Sequence, residues 1–328
     1  MKAIQALRYG SPDVLELVDL PIPTPGEGQA LVRILASSVN AMDWHSVRGE
    51  PRFARLMLGL RRPKSGVAGA DLAGVVEAVG PDVTSVKPGD EVLGMSIKTW
   101  AEHAVVKAEG LVPKPAGASW EQAGAIGVAA LTALQGLRDK GRVGPGQRVL
   151  IAGAGGGVGH YAVQIAKALG AEVTATTAPS HLEMVRSLGP DEVLDYTTVD
   201  ATAQAGRFDV VFDAGGYLSL RQVRRALRPG GRAVIAGAGA KSSLVGFIGG
   251  MVAARVLSRL DSRRYISFVA HRTQDDLQAL RAMLEAGQLH PVIDRRYPLA
   301  DAREALRYAE TGTVGGKVAI TVGDAPRT

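Results

Sequence analysis

The stretch Arg148-Val149-Leu150-Ile151-Ala152-Gly153-Ala154-Gly155-Gly156-Gly157-Val158-Gly159 decides the fold. A short apolar run leads into a glycine loop, and from His160 to Leu169 apolar residues recur at 162, 163, 165, 166 and 169, the spacing of a helix face. The order is therefore strand, glycine loop, helix. The start of a helix presents unpaired N–H groups and a positive dipole end, which suit a pyrophosphate. Glycines let the backbone approach that group and let the helix pack closely on the strand. Gly153 to Gly159 is read as the loop of a dinucleotide site, because the strand and helix stand where such a loop needs them.

The same rhythm continues downstream. Glu172–Thr176, Phe208–Asp213, Arg232–Ala236 and Ile266–Val269 read as buried strands separated by helical stretches, which implies βαβ units and a parallel sheet covered on both faces. Before residue 120 the pattern differs. Ala30–Leu35 and Leu72–Val79 look like strands, with turns at Pro21–Gly28 and Lys87–Asp90, as in an antiparallel β-rich module. Ser119, with Gln122 three residues on, signals the start of a helix running toward Leu137. After a helix near Asp275–Ala286, the strand-like segment Lys317–Val322 returns to the first pattern. The expected class is α/β: a doubly wound parallel-sheet domain over residues 122–271, inserted into a β-rich domain made of 1–121 and 272–328.

Among 328 residues there is no cysteine, which removes disulfides, thiolate zinc sites, a nucleophilic cysteine and iron–sulfur clusters. The histidines at 45, 103, 160, 181, 271 and 290 lack ligand spacing, so no metal is expected. The net charge of +6 raises the question of nucleic acid, but the arginines are scattered and no aromatic residues are interleaved with them. No nucleic-acid partner is expected; solvated helix faces or the phosphates of an anionic cofactor account for the excess. The most apolar stretch, Ser243–Leu257, holds Arg255 and falls short of the ~20 residues a membrane span needs, so it reads as a buried or interface helix. Met1-Lys2-Ala3-Ile4 runs straight into alternating residues with no secretory leader, and a cytoplasmic protein is expected.

The end of the second parallel strand bears on which dinucleotide is bound. An NAD site usually places an acid about 20 residues past the loop, to hold the ribose 2′-hydroxyl. Ala175-Thr176-Thr177-Ala178-Pro179-Ser180-His181 carries none there. Hydroxyls can donate to a 2′-phosphate that a carboxylate would repel, so NADPH is favoured. The competing account makes these turn residues, with Ser180 capping the next helix.

With these motifs in place the chain resembles the medium-chain dehydrogenase/reductase superfamily, and within it the zinc-independent quinone oxidoreductase-like branch. The resemblance runs nearly end to end. It rests on Ser38-Val39-Asn40-Ala41-Met42-Asp43-Trp44, Gly69-Ala70-Asp71-Leu72-Ala73-Gly74-Val75-Val76, Pro88-Gly89-Asp90-Glu91-Val92, Leu131-Thr132-Ala133-Leu134, the glycine loop and Asp195-Tyr196. It implies a partly open GroES-like β-barrel domain, a Rossmann cofactor domain, and a homodimer. Zinc-dependent relatives carry ligands where this chain has Asn40, Ala70 and Val128.

The resemblance further implies that Asn40 and Thr132 lie beside the nicotinamide and its ribose, and that Gly156, Gly157 and Val158 contact the pyrophosphate. It gathers Thr177, Ser180 and Tyr196 around the adenosine 2′-phosphate, without the basic residue that relatives often place near Ser180. Ala214, Gly215 and Gly237 end two strands on the cofactor side, and backbone groups from Val269 to His271 reach the carboxamide. Asp43 and His45 stand on the substrate side; the His45 imidazole either donates to a carbonyl and relays a proton or is a helix-turn residue. The apolar segment Pro51–Pro63 either lines the pocket or packs, and Leu244–Leu260 either walls it or covers a dimer face.

Loss of the metal removes a Lewis acid, which leaves acceptors that are already electron-poor. The expected activity is NADPH-dependent hydride transfer to a small hydrophobic quinone, or to the C=C bond of an α,β-unsaturated carbonyl compound. The alternatives are a dedicated reductase of a biosynthetic pathway, and a cofactor-binding regulatory or structural protein with little turnover.

Overall fold

The structure is a computed structural model and describes residues 1–50, 52, 55–64, 66–236 and 261–323. Gly237, Phe53 and the stretch 243–260, which figure in the sequence reading, lie outside the described residues. The chain divides into two compact units, one of Met1–Ala129, Arg272–Gly287 and Pro291–Thr328, the other of Ala130–His271 and Gln288–His290.

The first unit is built on a sheet in the order β14-β15-β3-β4-β5-β7, with β6 also paired to β3. Its strands are β3 (Gln29–Ser38), β4 (Asp71–Val79), β5 (Glu91–Met95), β6 (His103–Lys107), β7 (Leu111–Pro113), β14 (Ile293–Pro298) and β15 (Lys317–Thr321). All pairings are antiparallel except β14 with β15. A separate ribbon joins β1 (Lys2–Ala6) and β2 (Leu15–Asp19). Alternation on β3 buries Ala30, Val32 and Ile34 against Leu72, Val92, Trp100 and Leu306, so one side of the sheet closes over a continuous apolar core.

The second unit holds a fully parallel sheet in the order β10-β9-β8-β11-β12-β13. These strands are β8 (Arg148–Ala152), β9 (Glu172–Thr177), β10 (Glu192–Asp195), β11 (Phe208–Asp213), β12 (Leu227–Ala236) and β13 (Arg264–Phe268). Val149, Leu150, Ile151, Val210, Val211 and Phe212 are all buried, as strands covered on both faces require. The chain leaves β8 toward β9 on one side and later adds β11 on the other, so the strand order reverses between β8 and β11. A crevice at the carboxyl ends of these two strands is where ligands bind in open parallel sheets.

The helices are α1 (Ala41–Arg48), α2 (Arg55–Leu58), α3 (Trp120–Ala123), α4 (Gly127–Leu134), α5 (Gly159–Ala168), α6 (Leu182–Ser187), α7 (Leu220–Ala226), α8 (Gln274–Glu285) and α9 (Ala302–Glu310). Among the described residues, no helix is long and apolar enough to cross a membrane. The single helix expected from Ser119 to Leu137 is instead α3 and α4, followed by a wide turn of helix at Gln135–Gly141. Ser119 caps α3 in a reciprocal pair with Gln122. The break follows from packing: a Cβ on Gly124 would stand 2.8 Å from the Ala36 backbone, so the chain passes β3 closely there.

The same kind of close approach fixes Gly74 in β4. It pairs with Ile34, and a Cβ would meet the Arg33 carbonyl oxygen at 2.1 Å. Gly74→Ala is expected to lower unfolding stability by about 1–3 kcal/mol through forced separation of β3 and β4. Gly117→Ala, with nothing within 4 Å of its Cβ, serves as the control and should stay within about 0.5 kcal/mol. Urea unfolding of both variants checks the difference, and equal losses would contradict the packing account.

Candidate active site

Three strand ends meet in the first unit. β3 runs antiparallel to both β4 and β15, so its last residues lie beside the first residues of those strands. This brings Ser38 and Asn40, Asp71, and Lys317 together. The Asp71 side chain is fully buried, and a carboxylate there must be paired or heavily hydrogen-bonded. It is both. Its Oδ2 accepts from Ser38 Oγ at 2.6 Å and Asn40 Nδ2 at 2.8 Å, while Lys317 Nζ stands 3.5 Å away. Its Oδ1 accepts from the Val128 N–H at 2.7 Å. A Cβ on Gly127 would lie 2.3 Å from that oxygen, so the start of α4 must be bare for the bond to form.

Lys317 is buried as well, and its ammonium donates to Asn40 Oδ1 at 2.5 Å and to the Val39 carbonyl at 3.0 Å. Burial lowers its pKa from the ordinary lysine value, opposed by the charges of Asp71 and Asp43. The Asn40 carboxamide is thus held at both ends, by Lys317 at oxygen and Asp71 at nitrogen. Of the positions where zinc-dependent relatives carry ligands, Asn40 and Val128 donate to Asp71, while Ala70 adjoins it and offers only a buried methyl. Among the described residues, no cluster of His, Cys, Asp and Glu could hold a metal.

Asp43 opens α1, and its Oδ2 accepts from the Asn40 N–H at 2.7 Å. Burial pushes its carboxyl up to about 7; the Asn40 bond opposes the shift and the Asp71 charge adds to it. His45 lies against Trp44, ring centroids 3.7 Å apart, with Nδ1 2.9 Å from the Glu50 carbonyl. A carbonyl can only accept, so Nδ1 carries the hydrogen. Burial lowers the His45 pKa, partly offset by Glu50. In the neutral tautomer that this contact selects, Nε2 carries no proton, which is the geometry of a helix-turn residue.

In the second unit the glycine loop closes tightly on itself. Gly153 has φ +79°, and Gly153 and Ala154 both donate to the Thr176 carbonyl. A Cβ on Gly159 would meet the Gly153 oxygen at 2.0 Å, which explains the glycine at the first turn of α5. The Gly156 N–H is consumed by the Gly153 carbonyl at 3.1 Å, so among the residues read as pyrophosphate contacts it has no free amide to give. The N–H groups of Gly157 and Val158 have no acceptor among the described residues. They sit at the positive end of α5.

Thr177 closes β9. Its side chain is 1% exposed, and its hydroxyl has no partner among the described residues. It points at the loop: a Cβ on Gly155 would stand 2.5 Å from Thr177 Oγ1 and 2.8 Å from His181 Nδ1. Ser180 is exposed in the turn Pro179–His181 and does not cap α6, whose cap position is His181. Tyr196 is exposed, and its N–H reaches the Thr177 carbonyl at 3.3 Å. Free backbone donors, an orphaned buried hydroxyl and a cradle that any Cβ would fill together fit a dinucleotide phosphate and ribose.

Elsewhere in the parallel unit, Ala214 and Gly215 follow β11 at the switch point, and Ala214 N donates to the Ala152 carbonyl at 3.1 Å. Val269 is exposed just past β13. The backbone of His271 is bonded to the Gln135 side chain, donating at 3.1 Å and accepting at 2.6 Å. Thr132 is half-buried on α4. The sequence reading missed Lys317 and Asp213. Lys317 heads an apolar strand, where a lysine ordinarily marks a solvated edge. Asp213 ends β11 fully buried and accepts from the N–H groups of Gly215, Tyr217 and Leu218. An acid directly after the apolar residues Val210, Val211 and Phe212 was the available signal.

The comparisons with known proteins agree with both units. Residues 26–116 match the alcohol dehydrogenase GroES-like domain family, and residues 188–320 match the zinc-binding dehydrogenase family. The chain is 30% identical to a chloroplastic quinone oxidoreductase of Triphysaria versicolor, over 98% of each. It is 32% identical to the 2-methylene-furan-3-one reductase of Solanum lycopersicum, over 98% of this chain and 79% of that one. The solved quinone oxidoreductase of Coxiella burnetii superposes with a TM-score of 0.85 at 30% identity, covering 98% of this chain and 99% of the other. The chain belongs to the medium-chain dehydrogenase/reductase superfamily, in its quinone oxidoreductase-like branch, as an oxidoreductase with a GroES-like and a Rossmann unit.

Proposed function

We propose that the chain is an NADPH-dependent, zinc-independent reductase of quinones or of C=C bonds conjugated to a carbonyl. The observation that carries this reading is the saturated Asp71 carboxylate. Ser38, Asn40, the Val128 amide and the Lys317 ammonium already surround it. A divalent cation would have to displace a buried ammonium and would find donors where it needs acceptors. An isolated ketone needs a Lewis acid or a strong proton donor to accept hydride, whereas a quinone or enone is activated by its own conjugation. The names of the Triphysaria and tomato relatives point to the same acceptor class.

Bound at this site, a reduced nicotinamide cofactor supplies the hydride. The Gly157 and Val158 amides and the α5 dipole receive its pyrophosphate. Thr177, Ser180 and Tyr196 receive the adenosine ribose and its phosphate, with no carboxylate at the end of β9 to repel the phosphate. Asn40, pinned by Lys317 and Asp71, keeps one Nδ2 hydrogen for a ligand, and its orientation is set before any ligand arrives. Asp43 holds its proton into the neutral range, which keeps a second negative charge away from the Asp71–Lys317 pair. With His45 committed to Glu50, solvent supplies the proton that completes reduction. The superfamily's usual assembly makes the active species a homodimer.

Purified protein should oxidise NADPH with a quinone and with a conjugated enone, and prolonged treatment with a chelator should leave both rates unchanged. Turnover of simple ketones alone, or its loss on chelation, would sink the reading. Ser180→Asp, a change at an exposed position, should raise the Kd for NADPH by about tenfold or more while sparing NADH. Titration with both cofactors decides this, and equal weakening would remove Ser180 from the phosphate site.

Asp43 gives a pH signature. Its pKa is higher in the folded chain than in the unfolded one, so its contribution to stability is full below about pH 4 and is lost as pH rises through about 7. The lowered pKa of Lys317 contributes the opposite slope, and because the Asp43 charge opposes that lowering, replacing Asp43 lets Lys317 shift further and moves the net slope the same way. Asp43→Asn keeps an acceptor for the Asn40 N–H but cannot titrate. Between about pH 5 and about pH 8, unfolding free energy should therefore fall less in the variant than in the native chain. Denaturant titrations at several pH values test this, and parallel slopes would show that Asp43 does not hold its proton.

A further inference from the structure

The turn after β11 carries an aromatic residue that the proposed chemistry has not used. Asp213 takes three N–H bonds from the chain just beyond it, including Tyr217 N at 2.9 Å and Leu218 N at 2.8 Å, and Gly216 adopts φ +71°. The backbone is thereby folded back over the end of its own strand, and the Tyr217 ring is delivered onto the crevice where the strand order reverses. Its underside rests on bare backbone. A Cβ on Gly153, at the end of β8, would stand 2.4 Å from Tyr217 Cε2, and one on Gly215, past β11, would stand 2.5 Å from Cζ. Both glycines are required for the ring to lie there.

Tyr217 is nonetheless 69% exposed. A large ring bedded on two glycines, held by a buried carboxylate and open on its other side is built as a platform. Its phenol is raised above the ordinary tyrosine value by burial against the loop first, and then by the neighbouring Asp213 and Tyr196. Gly153, beneath the ring, donates to the Thr176 carbonyl beside Thr177, so the platform adjoins the adenosine side of the site as read above.

We propose that Tyr217 is the stacking residue for the adenine base of the dinucleotide, its outward face covering the purine while its inward face rests on Gly153 and Gly215. The proposal rests on the cofactor-site reading and adds to it the residue that recognises the base. Stacking on an aromatic ring is tolerant of the hydroxyl but not of losing the ring, and its removal typically weakens base binding by about tenfold.

The test is calorimetric titration of the full chain with NADPH and with 2′-phospho-ADP-ribose, which lacks the nicotinamide. Tyr217→Leu is expected to raise the Kd of both ligands by about tenfold, and Tyr217→Phe to leave both within about twofold. An unchanged or tighter Kd in the leucine variant overturns the proposal, since the ring would then be idle or a plug. A loss confined to NADPH also overturns it, by placing the contact at the nicotinamide end, as does an equal loss in the phenylalanine variant, which would assign the hydroxyl. If the native chain binds neither ligand, the cofactor-site reading falls and the proposal with it; binding without loss in the leucine variant removes the proposal alone.

Discussion

The buried pair of Asp71 and Lys317 is the constraint around which the first unit is arranged. Taking a carboxylate and an ammonium out of water costs several kcal/mol per ion, about 3–5 kcal/mol of which reappears when one partner is removed. Here the cost is offset by geometry. The carboxylate collects donors from the ends of β3 and the start of α4, and the ammonium collects acceptors from Val39 and Asn40. Together these bonds tie the end of β3 and the start of α4 to the two charged side chains. The ends of β3, β4 and β15 and the first turn of α4 are therefore not free to move independently, and Asn40 inherits that rigidity.

The second unit holds its ligand groups by the opposite means. No buried ion pair is needed at the glycine loop, because the working groups are backbone amides left over at the start of α5 and a hydroxyl left over at Thr177. Leaving such a group unmet costs about 1–3 kcal/mol when it is buried. Thr177 is the clearest instance, since its hydroxyl is enclosed and faces a loop that offers it no acceptor. Asp213 belongs to the same design: its negative charge is spent on backbone N–H groups, which fixes the turn beside the loop.

These two modes explain what the sequence revealed and what it withheld. Runs such as Val149–Ala152 and Val210–Phe212 were legible because the middle of a strand covered on both faces must be apolar, and the glycine loop was legible because its glycines are demanded by local backbone geometry. The break at Gly124 was not, since it depends on the backbone of Ala36, far away in sequence. Lys317 was missed for a related reason. A lysine is almost never buried without a partner, and its partner, Asp71, lies 246 residues earlier. For His45 the sequence left proton relay and a helix-turn role both open, because the Glu50 carbonyl that its Nδ1 meets at 2.9 Å is a contact that residue type alone does not reveal.

The electrostatics of the Asn40 pocket constrain the chemistry more than any single residue does. Lys317 faces Asp71, and burial pushes the Asp43 carboxyl up to about 7, so little net charge gathers around Asn40. A single amide hydrogen bond contributes about 1 kcal/mol, not the several that a cation supplies. The remainder of the activation must come from the acceptor's own conjugation. For that reason the identity of the residues around Asp71, more than the presence of the glycine loop shared by many dehydrogenases, directs the reading toward quinones and enones.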